Sequence, residues 1–174
     1  MDLSLADQYY IKALDNYPYN LEFAIENIQY ALSYENEHVQ ALCLLGQLYM
    51  YQMKDYGEAK SCFNQALKSD LNYPDTYKHL SQLYVWLGAY DQAEKLIQYG
   101  LKIAGMDRCI LLRTLAIAYE YRGNLQQSKE ILIKASLIAV NTRCIEAINT
   151  DLTRVKNKRK ILSPKKKGKE PRKK

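Results

Sequence analysis

Glycine-rich phosphate loops, paired cysteines and long apolar runs are all missing from this 174-residue sequence. Without a glycine loop there is no cradle for a nucleotide phosphate. The four cysteines (Cys43, Cys62, Cys109, Cys144) form no C-x-x-C pair, and the two histidines, His38 and His79, stand apart from them. Zinc needs clustered Cys or His ligands, so no metal or other cofactor is expected. The thiols are expected to be reduced and mostly buried, because "MDLSLADQYY" is acidic and lacks the basic-then-apolar layout of a secretory signal. The most apolar stretch, "ILIKASLIAV", is short and carries Lys134, which excludes a membrane-spanning helix there. These features predict a cytoplasmic protein. Asp75 and His79 lie four apart, but no serine or cysteine nucleophile is placed with them, and the other acids are scattered. Catalysis and a small-molecule substrate are not expected.

Phenylalanine is also scarce: 2 Phe and 1 Trp against 16 Tyr. Tyrosine suits half-buried positions, where the ring packs and the hydroxyl stays wet. So many of them fit an extended, open surface better than a compact globule. Charge is unevenly spread. Residues 154–174 hold 12 Lys/Arg and one acid, a balance of +11, so residues 1–153 carry 13 bases and 18 acids, a balance of −5.

What is present is repetition. "YVWLGAYDQAE" (84–94) recurs as "YEYRGNLQQSK" (119–129), and a looser copy, "YMYQMKDYGEAK" (49–60), has one extra residue in its turn. Upstream of each lies a set at helical spacing: Leu42/Leu45/Tyr49, Tyr77/Leu80/Tyr84 and Leu112/Leu115/Tyr119. Downstream, Ala59/Phe63/Ala66, Ala93/Ile97/Gly100 and Ser128/Leu132/Ala135 form a second apolar face whose small residues let two helices approach closely. Gly88 and Gly123 are placed to end first helices. Asn20, Asp55 and Asn124 are placed to cap second ones, with Glu58 and Gln127 completing capping-box patterns. Pro74 falls at a helix's first turn.

This pattern resembles the tetratricopeptide repeat. The match is carried by Leu45, Gly46, Tyr49, Tyr56, Ala59, Phe63 and Ala66, then by Tyr77, Leu80, Tyr84, Gly88, Tyr90, Ala93 and Ile97, and then by Leu115, Ala116, Tyr119, Gly123, Leu125, Leu132 and Ala135. A degenerate first copy is supported by Ile11, Leu21, Ala24, Ile28 and Ala31. It departs from the family at Lys12, where a small residue is wanted, and at Asp15, where an aromatic is wanted. The resemblance implies an all-α, right-handed superhelical solenoid with repeats at about 5–38, 39–73, 74–108 and 109–140. The Ile145/Ile148/Leu152/Val155 stripe predicts a capping helix over about 141–160, completing a single domain of 1–160. The segment 161–174 is too charged to fold and is expected to be a disordered basic tail.

The family's role implies a protein-interaction adaptor that holds a peptide or helix of a partner on its concave face. Here the residues add detail. Tyr17, Tyr51, Trp86 and Tyr121 form a ladder spaced 34, 35 and 35 residues apart. The ladder is either a groove wall or a seam between repeats. Lys78 and Arg113 share a second column, and Gln47 and Gln82 a third. The candidate peptide site is therefore Tyr51, Lys78, Gln82, Trp86, Arg113 and Tyr121, facing a partly acidic segment. The Lys, Asn and Arg set with which some family members clamp a terminal carboxylate is mostly absent. Two alternatives stay open. In one, an RNA- or ribosome-associated protein uses non-specific contacts of Lys158, Arg159, Lys160, Lys165, Lys166 and Lys167. In the other, the chain is a secretion chaperone.

Overall fold

The computed structural model describes residues 3–162, and its described residues form helices and turns with no strand. Four hairpins are made by α1 (Leu5–Asn16) with α2 (Leu21–Tyr34), α3 (Val39–Leu48) with α4 (Tyr56–Ser69), α5 (Pro74–Trp86) with α6 (Tyr90–Gly100), and α7 (Arg108–Tyr121) with α8 (Leu125–Ile138). α9 (Thr142–Leu162) closes the end, running two residues past the boundary expected for the basic tail. Residues 163–174, including Lys165, Lys166 and Lys167, lie outside the described residues.

The caps explain the hairpins. Asn20, Asp55 and Asn124 accept hydrogen bonds from the backbone N–H groups of Phe23, Glu58 and Gln127. The reciprocal half of a capping box appears instead at Ser4 and Asp7, opening α1. Pro74 opens α5 as its missing N–H allows. Gly88 (φ 71°) and Gly123 (φ 79°) take the left-handed turn after α5 and α7. There the carbonyl of Tyr84 accepts from Ala89, and that of Tyr119 from Asn124. In the looser copy the carbonyl of Tyr49 accepts from Asp55, one residue further on, and the extra residue is absorbed by a single π-helical turn, Tyr49–Met53. Lys54, at φ 59°, takes the glycine's place.

Odd-numbered helices each touch the next odd helix, and each even helix touches the odd helix that follows it. The odd helices therefore form one layer and the even helices a second, which is the arrangement of a curved solenoid with the odd helices inside. Gly46 shows how tightly each hairpin closes: a Cβ there would lie 2.6 Å from Phe63 Cε1. Ser81 and Ala116 fill the same place in the next two repeats and are fully or almost fully buried.

The first repeat corrects the expected register by one residue. Ala13, not Lys12, is the small residue at the hairpin contact. It is fully buried against Ala24, Ile28 and Ala31. Tyr9, four residues earlier, packs on Tyr30 and Tyr34 at 5.1 and 5.6 Å, as Tyr77 packs on Tyr99 at 6.3 Å two repeats later. Lys12 and Asp15 then stand where Leu45 and Leu48 stand in the second repeat, and both are exposed. That edge of α1 is therefore polar where the matching edge of α3 is apolar, as suits a solenoid face in contact with water.

At the other end, Ile148 and Val155 are fully buried against the last repeat, with Leu152 beside them. The expected reduced state of all four cysteines is corrected there. Cys109, in the first turn of α7, and Cys144, in the first turn of α9, are joined by a disulfide, whereas Cys43 and Cys62 are free and buried. Their sequence separation of 35 concealed a pair that the docking of α9 brings together. Burial pushes the Cys43 thiol up to about 12 and the Cys62 thiol up to about 11, so neither is a ready nucleophile.

Candidate functional site

Three inner helices present matching stripes at a spacing of four: Cys43/Gln47 on α3 with Tyr51 on the π-helical turn that follows it, Lys78/Gln82/Trp86 on α5 and Arg113/Ile117/Tyr121 on α7. Residues four apart share a helix face, so parallel helices stack these stripes into three rows. One row is aromatic, the middle row is largely amide and the third is basic towards the C-terminal repeats.

The aromatic row is both seam and surface. Tyr51 and Trp86 meet edge to face at 5.6 Å, and Tyr56 adds a second edge contact to Trp86 at 6.1 Å. Tyr51 is half-buried and hydrogen-bonds His79 Nδ1 at 2.9 Å. Burial, with help from Lys78, drives His79 down to about 3, so its ring is neutral at pH 7. Burial likewise lifts the Tyr51 hydroxyl to about 12. Further along, Trp86 is 45% exposed and Tyr121, stacked on Tyr90, is 66% exposed. Tyr17 does not extend the row on a helix. It is the C-cap of α1, its backbone extended (ψ 135°), and its ring packs into the cluster of α1 to α3.

The basic row differs most from the sequence reading. Lys78 is 42% exposed and its nearest acid is Asp75 at 4.0 Å, on its own helix. Arg113, expected to await a partner's carboxylate, already donates through Nε to Asp151 of α9 at 2.6 Å. Asp151, almost fully buried, also accepts from Arg154 Nη1 at 2.6 Å. Arg154 in turn binds Glu120 with two further bonds, and Lys158 reaches Glu120 at 2.7 Å. Five charged groups thus lock α9 onto α7. The bonds from Arg154, and then those from Lys158, hold the Glu120 carboxyl below its ordinary range against the opposing effect of burial. Lys158, a candidate anion contact, is therefore engaged within the fold, while Lys160 is exposed.

Sequence reasoning missed Asp151, Glu120, Arg154 and Arg143. No repeat comparison reaches most of them, because α9 is not a copy of the repeat. A cavity of about 370 Å³ opens where the N-terminal halves of α5, α7 and α9 converge, lined by Lys78, Asp107, Arg113, Asn141 and Arg143 with Ile110, Cys144 and Ala147. Among the described residues there is no group of three or more His, Cys, Asp or Glu that could hold a metal, and no helix long and apolar enough to cross a membrane.

Stacked helix hairpins with an inner layer of recurring side chains define a helical-repeat protein. Residues 50–108 match a family model described as "Tetratricopeptide repeat", and the same hairpin architecture continues on both sides of that segment. Comparison with curated protein sequences gives no match. Among solved structures, PilF of Pseudomonas aeruginosa superposes with a TM-score of 0.79 at 16% identity, covering 90% of this chain and 70% of its own. A thermophilic tetratricopeptide protein of Thermus thermophilus superposes at 0.70 with 19% identity, covering 85% and 81%. YrrB, a tetratricopeptide protein with an unusual peptide-binding site, superposes at 0.64 with 18% identity, covering 91% and 79%. At these identities the likeness is one of fold.

Proposed function

We propose that this chain is a non-enzymatic adaptor that holds a segment of a partner protein along its inner face, across the rows of α3, α5 and α7. The observation that carries the reading is Trp86. A tryptophan 45% exposed, braced edge-on by two tyrosines and followed one turn back by Gln82, is a rigid apolar anchor beside backbone-bonding amides. Interface hot spots are enriched in such residues, and Gln47 and Gln82 have amide groups able to pair with an extended backbone. The apolar end of the segment lies on Tyr51, Trp86 and Tyr121, and its acidic end lies towards Lys78 and Arg113. YrrB, a protein of similar fold described as having an unusual peptide-binding site, supports a peptide as the kind of ligand to look for. The half-buried Tyr51–His79 pair is structural in this reading, since a neutral, buried imidazole bonded to a tyrosine has no reacting group beside it.

The test is site-specific photo-crosslinking in cells. A photoreactive residue at Gln82 is expected to give a covalent adduct with a protein fragment. The same residue at Gln98, exposed on the outer-layer helix α6, is expected to give none. Equal labelling from both sites, or no adduct from Gln82, would refute the groove.

A further inference from the structure

We infer that the cavity between α5, α7 and the first turn of α9 is a receptor for one carboxylate side chain of the partner, four residues along the chain from the apolar residue that covers Trp86. The inference rests on the groove reading and supplies its sequence requirement.

The charges come first. Counted with the groups paired to them, Lys78, Arg113, Arg143 and Arg154 contribute four positive charges to this place, against Asp75, Asp107 and Asp151. The remainder is a single positive charge, which matches a carboxylate. A phosphate monoester carries about −1.5 to −2 at neutral pH and is a poorer match. The donors are largely uncommitted. Among the described residues Arg113 bonds through Nε alone, to Asp151. Asn141 spends its carbonyl oxygen on the backbone N–H of Cys144 at 2.7 Å, which leaves its amide N–H groups. Asp107 Oδ1 accepts from the N–H of Ile110, capping α7. Among the described residues Arg143 has no ion pair and is exposed, and Lys78 has only the 4.0 Å approach of Asp75.

The fold already contains an example of the chemistry. Asp151 is a helix-borne carboxylate seated on Arg113, so this row accepts an acid presented by a neighbouring segment. The spacing follows from α5 itself. Lys78 and Trp86 are eight residues apart on one face, or about 12 Å at 1.5 Å per residue. An extended chain covers about that span in four residues at ~3.3 Å each, and positions i and i+4 point the same way. The disulfide from Cys109 to Cys144 fixes the first turn of α9, and with it Arg143 and Asn141, against α7. The site is thus half repeat and half cap.

The probe is the blocked peptide acetyl-Glu-Gly-Ser-Gly-Phe-amide, titrated into the isotope-labelled full chain and followed by amide chemical shifts. The expected result is perturbation around Trp86 together with Lys78 and Arg143, with at least fivefold weaker binding when Gln replaces the Glu. Arg143→Glu is expected to erase that Glu-over-Gln preference while leaving the melting curve intact, and Lys78→Gln to reduce it. Equal binding of the Glu and Gln peptides, with shifts still at Trp86, overturns the receptor and leaves the groove standing. Absence of shifts at both places overturns the two together. Tighter binding of a phosphoserine peptide than of the Glu peptide also overturns the carboxylate assignment.

Discussion

Replacing Trp86 by alanine separates a purely structural aromatic row from one that also binds. Truncating a buried Trp in a core costs about 3–5 kcal/mol. Trp86 is 45% exposed, so roughly half of that loss, about 1.5–2.5 kcal/mol, is expected on packing grounds. The edge-to-face contact with Tyr51 lies inside this figure, since such pairs contribute about 0.5–1.5 kcal/mol. For a chain of this size, each kcal/mol moves the midpoint about 2–4 °C, so a fall of roughly 3–10 °C is expected. The assay is a thermal melt followed by far-ultraviolet circular dichroism, paired with the Gln82 crosslinking yield at a temperature where the variant is fully folded. Adduct yield is expected to drop more than tenfold. A drop in midpoint well beyond 10 °C with an unchanged adduct would mean that Trp86 is only a seam residue. An unchanged midpoint would refute the packing argument itself.

Four further outcomes follow from the geometry. Asp151→Leu strands Arg113 and Arg154, but both guanidinium groups reach water, so the expected cost is about 2 kcal/mol rather than the ~3–5 of a fully buried pair. Adding Arg113→Leu should restore part of the lost melting temperature, and a further loss would contradict the pairing. Because the folded Glu120 carboxyl titrates below its ordinary 4.5, its contribution is fully present above that pH and is lost as pH falls through the folded value. The stability gap between wild type and Glu120→Gln should therefore be present at pH 7 and narrow progressively as pH is taken below 4.5, as read from urea midpoints. Gly46→Val drives side-chain atoms into the Phe63 ring and should cost about 1–3 kcal/mol, whereas unchanged melting would mean that α3 and α4 are further apart than described. Iodoacetamide applied to the chain unfolded without reductant should add two groups, at Cys43 and Cys62, rising to four after reduction.

The hairpins were legible because each repeat obeys rules that act within about 35 residues. Helical spacing chooses the buried face, Gly88 and Gly123 end the inner helices, and Asp55 and Asn124 cap the outer ones. Even the irregular copy was visible as an extra residue, although its physical form, a π turn with Lys54 left-handed, required the backbone. The candidate site was half legible for the same reason. Tyr51, Lys78, Gln82 and Trp86 stand in rows because repetition places them there. What escaped lies at the ends of the solenoid, where repetition stops. At the first repeat, alignment by a fixed period put Lys12 at the hairpin contact, and only packing reveals that Ala13 belongs there and that Lys12 faces water. At the last, α9 follows no period, so nothing in its spacing announced that Asp151 would claim Arg113 or that Cys144 would meet Cys109. A cap must cover an apolar edge and present a polar one, and many sequences do that. This one also carries an acid and bases matched to the charges of α7, which turns a generic cover into one specific to this edge. Under the proposed groove reading, the charges a ligand would meet at the C-terminal end are therefore set by α9 as much as by the repeats.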